Sequence, residues 1–180
     1  MKIATALRSL VLAVSTAVTL TSCAEPIIPR QQTFRPSDFV CSQERGSASI
    51  TGRAFVTMRD NSERIGVQQK VELTPVTPYT SEAIGVEFTQ SRSLSAADPR
   101  IDKYIRSTEA DDQGRFSFRG LPPGEYYATS NVKWDNWYWN DDVTQKIYVH
   151  YTVPIHARVS VKNGQTVVVR DWVYGKTIVK

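Results

Sequence analysis

Alternating apolar and polar positions dominate the chain from residue 49 onward. In the run SITGRAFVTM, residues 49–58, the even-numbered positions are all apolar or small. The same alternation puts Val71 and Leu73 on one face of KVELTPV, and Phe116 and Phe118 on one face of GRFSFRG. A period of two is typical of a half-buried β-strand. We therefore expect strands here, with the arginines and serine beside the two phenylalanines facing solvent.

Two further strands are predicted toward the C-terminus. In EYYATSNVKW, residues 125–134, the inward set is Tyr126, Ala128, Val132 and Trp134. In KIYVHYTV, residues 146–153, it is Ile147, Val149, Tyr151 and Val153. Short alternating strands with few helical patterns are typical of an all-β protein, and we predict an antiparallel β-sandwich.

The dipeptide Asn163-Gly164 predicts a β-hairpin within ARVSVKNGQTVVV, residues 157–169. A two-residue turn would set Val159 opposite Val168, whereas a three-residue loop sets Val159 opposite Val167. We favour the longer loop because it keeps the apolar side chains on one face. Gly164 would then take the left-handed conformation of a bulged turn.

The long stretch between Val76 and Arg106 interrupts the strand pattern. Within it, Asp98 is suited to cap a helix and Pro99 to occupy the first helical position. We expect one short helix in this inter-strand excursion. A connection of this length inside a compact domain is often functional.

The N-terminus has the organisation of a secretory leader. Lys2 and Arg8 form a basic region, and residues 10–20 are apolar or small without charge. This run is shorter than the about 20 residues that a membrane-spanning helix needs, and it fits a signal peptide. Its end, LTSC at residues 20–23, resembles the lipobox of bacterial lipoproteins, in which the cysteine thiol accepts the lipid.

The lipobox resemblance implies processing after residue 22 and lipidation of Cys23. Acyl chains there would hold the protein at a membrane, at about 0.8 kcal/mol per buried CH₂. Ala24, at a position where Asp tends to retain Gram-negative lipoproteins at the inner membrane, implies an outer membrane lipoprotein in either leaflet. The expected organisation is a signal peptide at 1–22, a lipidated cysteine and tether at 23–46, and a folded domain at 47–180.

Cys41 is the second of only two cysteines and has no partner in the chain once Cys23 is acylated. It is either buried as a small apolar residue, which we favour, or paired between chains. Loss of Lys2 and Arg8 with the leader leaves 20 basic against 18 acidic residues. Such a small net charge does not support a nucleic-acid partner.

Four motifs run along the predicted domain: TGR at 51–53, DQGRFSF at 112–118, GLPPGEYY at 120–127 and VSVKNGQT at 159–166. Together they resemble the carboxypeptidase regulatory-like domain, from about Ser49 to Tyr174. That family shares a prealbumin-like sandwich with the collagen-adhesin B-type repeats. The resemblance implies a non-catalytic module, because the regulatory domain is the companion of a peptidase domain that is not present here.

No catalytic or metal-binding pattern accompanies these strands. His150 and His156 are the only histidines, and we expect Pro154 to break the strand between them and both to lie on the surface. The isopeptide bond of the adhesin repeats uses a lysine on the first strand, where this chain has Arg53. We therefore expect no enzyme activity, no cofactor and no metal.

The segment KWDNWYWNDD, residues 133–142, holds three of the four tryptophans. We favour a strand end and loop that fold these aromatics onto the sandwich, because large aromatics are mostly buried. The alternative is an exposed platform for sugar rings or a protein partner. Its candidate binding residues are Trp137, Tyr138, Trp139, Asp135 and Asn140, while Trp134 belongs to the inward face.

Three functions follow from these patterns. The favoured one is a non-enzymatic envelope module that binds a protein partner or supports a larger assembly. The alternative is a carbohydrate-binding module that uses the cluster from Trp134 to Trp139, and a hydrolase is disfavoured. We expect binding at one end of the sandwich, built from the 77–103 excursion and the 135–142 loop.

Overall fold

The computed structural model describes residues 26–90, 92–175 and the backbone of 178–179, without the side chain of Cys41. Cys23, the signal peptide and the burial of Cys41 lie outside the described residues. The strands are β1 (Ala48–Arg53), β2 (Phe55–Thr57), β3 (Glu63–Ile65), β4 (Lys70–Pro75), β5 (Arg106–Glu109), β6 (Arg115–Leu121), β7 (Gly124–Trp139), β8 (Lys146–Val161), β9 (Thr166–Val169), β10 (Val173–Tyr174) and β11 (Ile178–Val179).

The strands form the predicted all-β sandwich. The smaller sheet has the order β6–β1–β9, and the larger sheet has the order β10–β8–β7–β4–β5, with β11 also paired to β8. Strands β2 and β3 form a separate hairpin. The two sheets share one core, to which the smaller sheet contributes Ile50 and Phe118 and the larger one Leu73, Val132 and Ile155.

The alternation of the sequence predicted the inward faces correctly, except at the start of β8, where Ile147 is exposed. Phe116 and Phe118 are buried, whereas Arg115 and Arg119 on the same strand are exposed. Val71, Leu73 and the inward residues of β7 up to Val132 are buried in the same way. Alternation is a local property of an extended chain, so it is recovered without knowledge of the strand's neighbours.

The run SITGRAFVTM is not the single strand that its alternation predicts. The chain changes partner at Ala54, whose N–H donates to Gly114 O at 2.8 Å and whose carbonyl accepts from Gly66 N at 2.9 Å. Strand β1 therefore pairs with β6, and β2 pairs with β3. Ala54 and Val56 are both buried, so the even-numbered residues still face the core after the change of partner.

The predicted hairpin at Asn163-Gly164 is wrong, although the turn itself is correct. Gln165 N donates to Lys162 O at 3.0 Å, and Gly164 has a φ of 69°, as expected for the left-handed conformation. Strand β9 does not fold back onto β8 but crosses to the smaller sheet, where it pairs in parallel with β1. Strand β9 thereby hydrogen-bonds to an edge of β1 that would otherwise be open. The edge of β8 is paired instead with β10 and β11.

Strand β8 is continuous through Pro154, so the predicted break between the histidines is also wrong. Pro154 lies opposite Asn131 of β7. On the outer side of β8 it falls between the residues paired to β11 and those paired to β10. Its missing N–H is tolerated there because the neighbouring ladder is interrupted at that point.

The excursion carries one short α-helix, α1 (Pro78–Ala83), followed by a π-helical turn, Ile84–Thr89, and a 3-10 helix, Pro99–Tyr104. Thr77 caps α1 through a reciprocal bond with Thr80. The helix predicted at Asp98 and Pro99 is the 3-10 helix, and the Asp98 carboxylate accepts from Arg100 N at 2.9 Å. The α-helix itself lies at a position that the sequence reading missed.

The predicted tether packs against this excursion. It contains a 3-10 helix, Pro36–Gln43, and a second small core is formed by Phe34, Phe39, Tyr79 and Ile101. Residues 28–43 therefore cannot serve as an extended spacer, because two of their phenylalanines are buried. Within the described part of the chain, no helix is both long enough and apolar enough to cross a membrane.

Candidate functional site

The candidate residues lie on a long β-hairpin that continues past the sandwich. Strands β7 and β8 each have 16 residues and pair in register up to Trp139 opposite Lys146. The loop predicted from residue 135 is therefore mostly strand, and the turn occupies only residues 140–145. Asn140 closes this turn, because its side-chain oxygen accepts from Thr144 N at 2.8 Å and Gln145 N at 3.1 Å.

The aromatic side chains near the tip are exposed. The exposed fractions are 48% for Trp137, 52% for Tyr138 and 47% for Trp139. The favoured expectation that they fold onto the sandwich is therefore wrong, since Trp137 and Trp139 lie on the face of β7 that points away from the smaller sheet, opposite to Val132 and Trp134. Trp134, at the base of the hairpin, does pack against the core as predicted.

The hairpin divides the candidate residues between two faces. Side chains alternate along a strand, so Asp135, Trp137 and Trp139 share one face while Tyr138 lies on the other. Asn140 holds the turn and belongs to neither. The five candidates thus do not form one cluster, because the strand that carries them is extended rather than looped.

The face of Trp137 and Trp139 also includes residues that the sequence reading missed. Register places His150 opposite Asp135, Tyr148 opposite Trp137 and Lys146 opposite Trp139. We call these six residues the aromatic face. The contribution of β8 could be found only from the register of the hairpin, which the sequence motif does not contain.

Charged groups lie directly against the rings of the aromatic face. The rings of Trp137 and Trp139 are perpendicular, with centroids 6.2 Å apart. Lys146 Nζ lies 4.2 Å from the centroid of Trp137 and 5.5 Å from that of Trp139. At the base, His150 Nδ1 lies 2.7 Å from Asp135 Oδ1. The face therefore combines apolar ring surface with hydrogen-bonding groups of both charge signs.

The opposite face of the hairpin leads into a groove at its base. Trp134 stacks on Tyr151 with centroids 5.2 Å apart and planes inclined by 7°. We call this space, of about 520 Å³ between the pair and the β2–β3 hairpin, the basal groove. Its lining includes Trp134, Tyr151, Val153, Met58, Arg59, Asp60 and Arg64.

A smaller cavity of about 280 Å³ lies between the excursion and the outer face of the larger sheet. Arg30 and Glu87 contribute charged groups to it, and Tyr127 bonds to Ser81 through their hydroxyls at 3.1 Å. Desolvation raises the pKa of Glu87, and the nearby Arg30 charge opposes that shift. Residues of the excursion line this cavity, but none of the five candidate binding residues does.

The described residues contain no group of three or more histidine, cysteine or acidic side chains placed to hold a metal ion. His150 is exposed, as expected. His156 is buried instead, with its ring 5.5 Å from that of Phe88, because the excursion covers the outer face of β8. Burial lowers the pKa of His156 below its usual value.

No protein-family model matches this chain, and neither does any curated protein. Among solved structures, it is similar to a Pseudomonas aeruginosa protein provisionally named as carbohydrate-binding. The TM-score is 0.60 and the sequence identity 25%, over 76% of this chain and 97% of that protein. The chain thus shares its β-sandwich with that protein over nearly all of that protein's length.

Proposed function

We propose that the protein is a non-enzymatic glycan-binding module that uses the aromatic face of the β7–β8 hairpin. The observation that carries the proposal is the exposure of about half of both Trp137 and Trp139, side by side on one face of a projecting strand pair. Tryptophan is highly buried on average, so two exposed neighbours that add little to the core call for another role.

The chemistry of the aromatic face suits a sugar. A pyranose presents C–H groups on its ring face and hydroxyls around its rim, so it needs an apolar surface bordered by a few polar groups. The tryptophan rings supply that surface, and their polar edges tolerate water. Lys146, which lies against both rings, can donate hydrogen bonds, and the Asp135 carboxylate on the same face can accept them.

The structural similarity supports the proposal from a separate direction. The Pseudomonas aeruginosa protein, which shares the sandwich, is named for carbohydrate binding. The sequence patterns by themselves favour a protein-binding module over a glycan-binding one. Exposure of the tryptophans, together with this similarity, reverses that order in our proposal.

A protein partner remains the second candidate, and a specific observation favours it. Tyr148 and Val143 are also exposed, and Tyr138 adds an aromatic ring on the other face of the hairpin. Aromatic residues that project from a rigid element are typical of interface anchors. For either function, a lipid anchor on Cys23 would hold the module at the outer membrane of the cell envelope.

A glycan array followed by calorimetry on the mature protein tests the proposal. We expect the double variant Trp137→Ala/Trp139→Ala to bind its glycan about tenfold more weakly or worse, because each ring contact contributes about 0.5–1.5 kcal/mol. The control is Val67→Ala/Val168→Ala, which removes exposed apolar side chains outside the hairpin and should not change the affinity. Unchanged glycan affinity in the tryptophan variant would overturn the proposal.

A further inference from the structure

We infer that the basal groove binds an acidic sugar, a uronic acid whose ring packs on Trp134 and Tyr151 and whose carboxylate pairs with Arg59 and Arg64. The inference deepens the proposed function and rests on it, because it takes the ligand to be a saccharide. It names the chemical class of that saccharide and a second contact region on the opposite face of the same hairpin.

The size and floor of the groove fit a sugar unit. Its volume of about 520 Å³ lies within the range of small-molecule sites, about 300–1,000 Å³. The stacked pair of Trp134 and Tyr151 gives apolar ring surface to one wall. Val153 and Val56 also line the groove and are buried in the core, so this wall is backed by the packed interior of the sandwich.

The opposite wall supplies the cations. Arg59 and Arg64 are exposed, and neither forms an ion pair with any residue that the structure describes. Some other arginines of the domain do form ion pairs: Arg53 lies 2.6 Å from Glu63, and Arg158 lies 2.7 Å from Glu125. A guanidinium binds a carboxylate through two parallel hydrogen bonds, so two unpaired arginines on one wall favour an anionic ligand.

Asp60 does not neutralise these arginines by direct pairing. Its carboxylate accepts from Ser62 N at 3.0 Å and from Ser62 Oγ at 2.7 Å. These bonds lower the pKa of Asp60, so its carboxylate stays ionised near Arg64 while it is held within its own turn. The groove then contains two positive groups and one negative group, and a ligand carboxylate would balance the remaining positive charge.

The turn that presents Arg59 is well defined. Met58 N donates to Ser62 O at 2.7 Å, and Asn61 N donates to Met58 O at 3.0 Å. Asn61 has a φ of 62°, a left-handed conformation that asparagine tolerates better than most residues. A fixed backbone lowers the entropy that is lost when the arginine side chain binds.

Three polymers separate the contributions of charge and sugar ring. Polygalacturonate carries both, its fully methyl-esterified form keeps the ring without the charge, and polyglutamate keeps the charge without the ring. The full mature protein is titrated with each polymer in calorimetry at low salt. We expect polygalacturonate to bind at least tenfold more tightly than either of the other two polymers.

Matched variants test whether the preference for polygalacturonate comes from the basal groove. Arg59→Gln/Arg64→Gln should lose the tenfold preference for polygalacturonate over its ester. Arg45→Gln/Arg119→Gln removes the same charge from exposed positions outside the groove and should keep it. Equal loss in both variants would mean that net charge, rather than the groove, selects the ligand, and would overturn the inference.

The remaining outcomes separate this inference from the proposed function. If the protein binds neutral glycans through Trp137 and Trp139 but shows no preference for the acid form, the inference fails and the proposed function stands. Equal binding of polyglutamate and polygalacturonate also overturns the inference, since an acidic peptide would then serve as well as a sugar. If no saccharide binds at all, both fail.

Discussion

Trp134 stacks on Tyr151 across the β7–β8 hairpin, and this pair marks the point where the sandwich ends. On one side of it, Val132 and Val153 face each other in the buried core. On the other side, the same two strands continue with Trp137, Tyr138 and Trp139 exposed to solvent. One hairpin therefore serves as core strands at its base and as a projecting surface at its tip.

Substitution of a core phenylalanine should be costly. Phe116 and Phe118 are both buried, and their rings pack edge to face with centroids 6.0 Å apart. We expect Phe116→Ala or Phe118→Ala to lower the free energy of unfolding by about 3–5 kcal/mol. Arg119→Ala, on the opposite face of β6, should change it by about 0.5 kcal/mol or less in urea denaturation. Equal losses would contradict the burial pattern of this strand.

Tyr126 supports the turn between β6 and β7 through a hydrogen bond. Its hydroxyl donates to Pro122 O at 2.9 Å in a buried position. Tyr126→Phe keeps the ring but leaves this carbonyl without that donor, so we expect a loss of about 1–3 kcal/mol. Chemical denaturation measures the loss, and Tyr148→Phe, at an exposed position, is the control. Equal stability of the two variants would rule out a structural role for the bond.

The exposed tryptophans should matter little for folding. Trp137→Ala/Trp139→Ala removes one ring–ring contact and the ammonium contacts of Lys146, so we expect a loss of about 1–2 kcal/mol or less. The corresponding fall in Tm is a few degrees, at about 2–4 °C per kcal/mol. Trp134→Ala, at the partly buried base, should cause a larger fall. A large fall in the Tm of the double variant would make these tryptophans core residues.

His156 should make the stability of the fold depend on pH. Burial lowers its folded pKa below the usual 6.5, so the unfolded state binds more protons between the two pKa values. Its stabilising contribution is therefore complete above the unfolded pKa and is lost as the pH falls through the folded one. Tm should fall between about pH 8 and about pH 5, the range in which histidine titrates.

The variant His156→Phe separates this contribution from those of the other titrating groups. Glu87 has the opposite sign, because its raised pKa adds stability at low pH that is lost as the pH rises. Tm is therefore measured as a function of pH for wild type and for His156→Phe. We expect the Tm of the variant to fall less steeply as the pH is lowered. His150→Asn controls for removal of an exposed imidazole. Parallel profiles for wild type and His156→Phe would contradict the linkage.

The lipid anchor is tested through Cys23. Cys23→Ser removes the thiol that would accept the lipid, so the protein should leave the membrane fraction or remain unprocessed. Cell fractionation and the mass of the N-terminal peptide measure both effects. Cys41→Ser is the matched control and should fractionate like wild type. A Cys23→Ser protein that stays in the membrane and is cleaved at the same position would contradict the lipoprotein prediction.

Features that depend on a few neighbouring residues could be predicted from the sequence. The inward positions of Phe116 and Val71 follow from alternation, and the left-handed Gly164 follows from the chemistry of its turn. The capping role of Asp98 is local for the same reason. Each of these depends on the backbone conformation of one short segment, which its own residues strongly bias.

The tertiary structure alone decided which edges pair and which surfaces are covered. The valines of β9 suit a place beside β8 or beside β1, and only the closed sandwich selects the parallel pairing with β1. The exposure of Trp137 depends on how far the excursion extends over the outer face of the larger sheet, where it covers Tyr127. The basal groove joins Arg59 to Trp134 across a long stretch of chain. A strand's period of two is satisfied by any neighbour that buries its apolar face, so partner and coverage are set by the competition among all the strands for the same core.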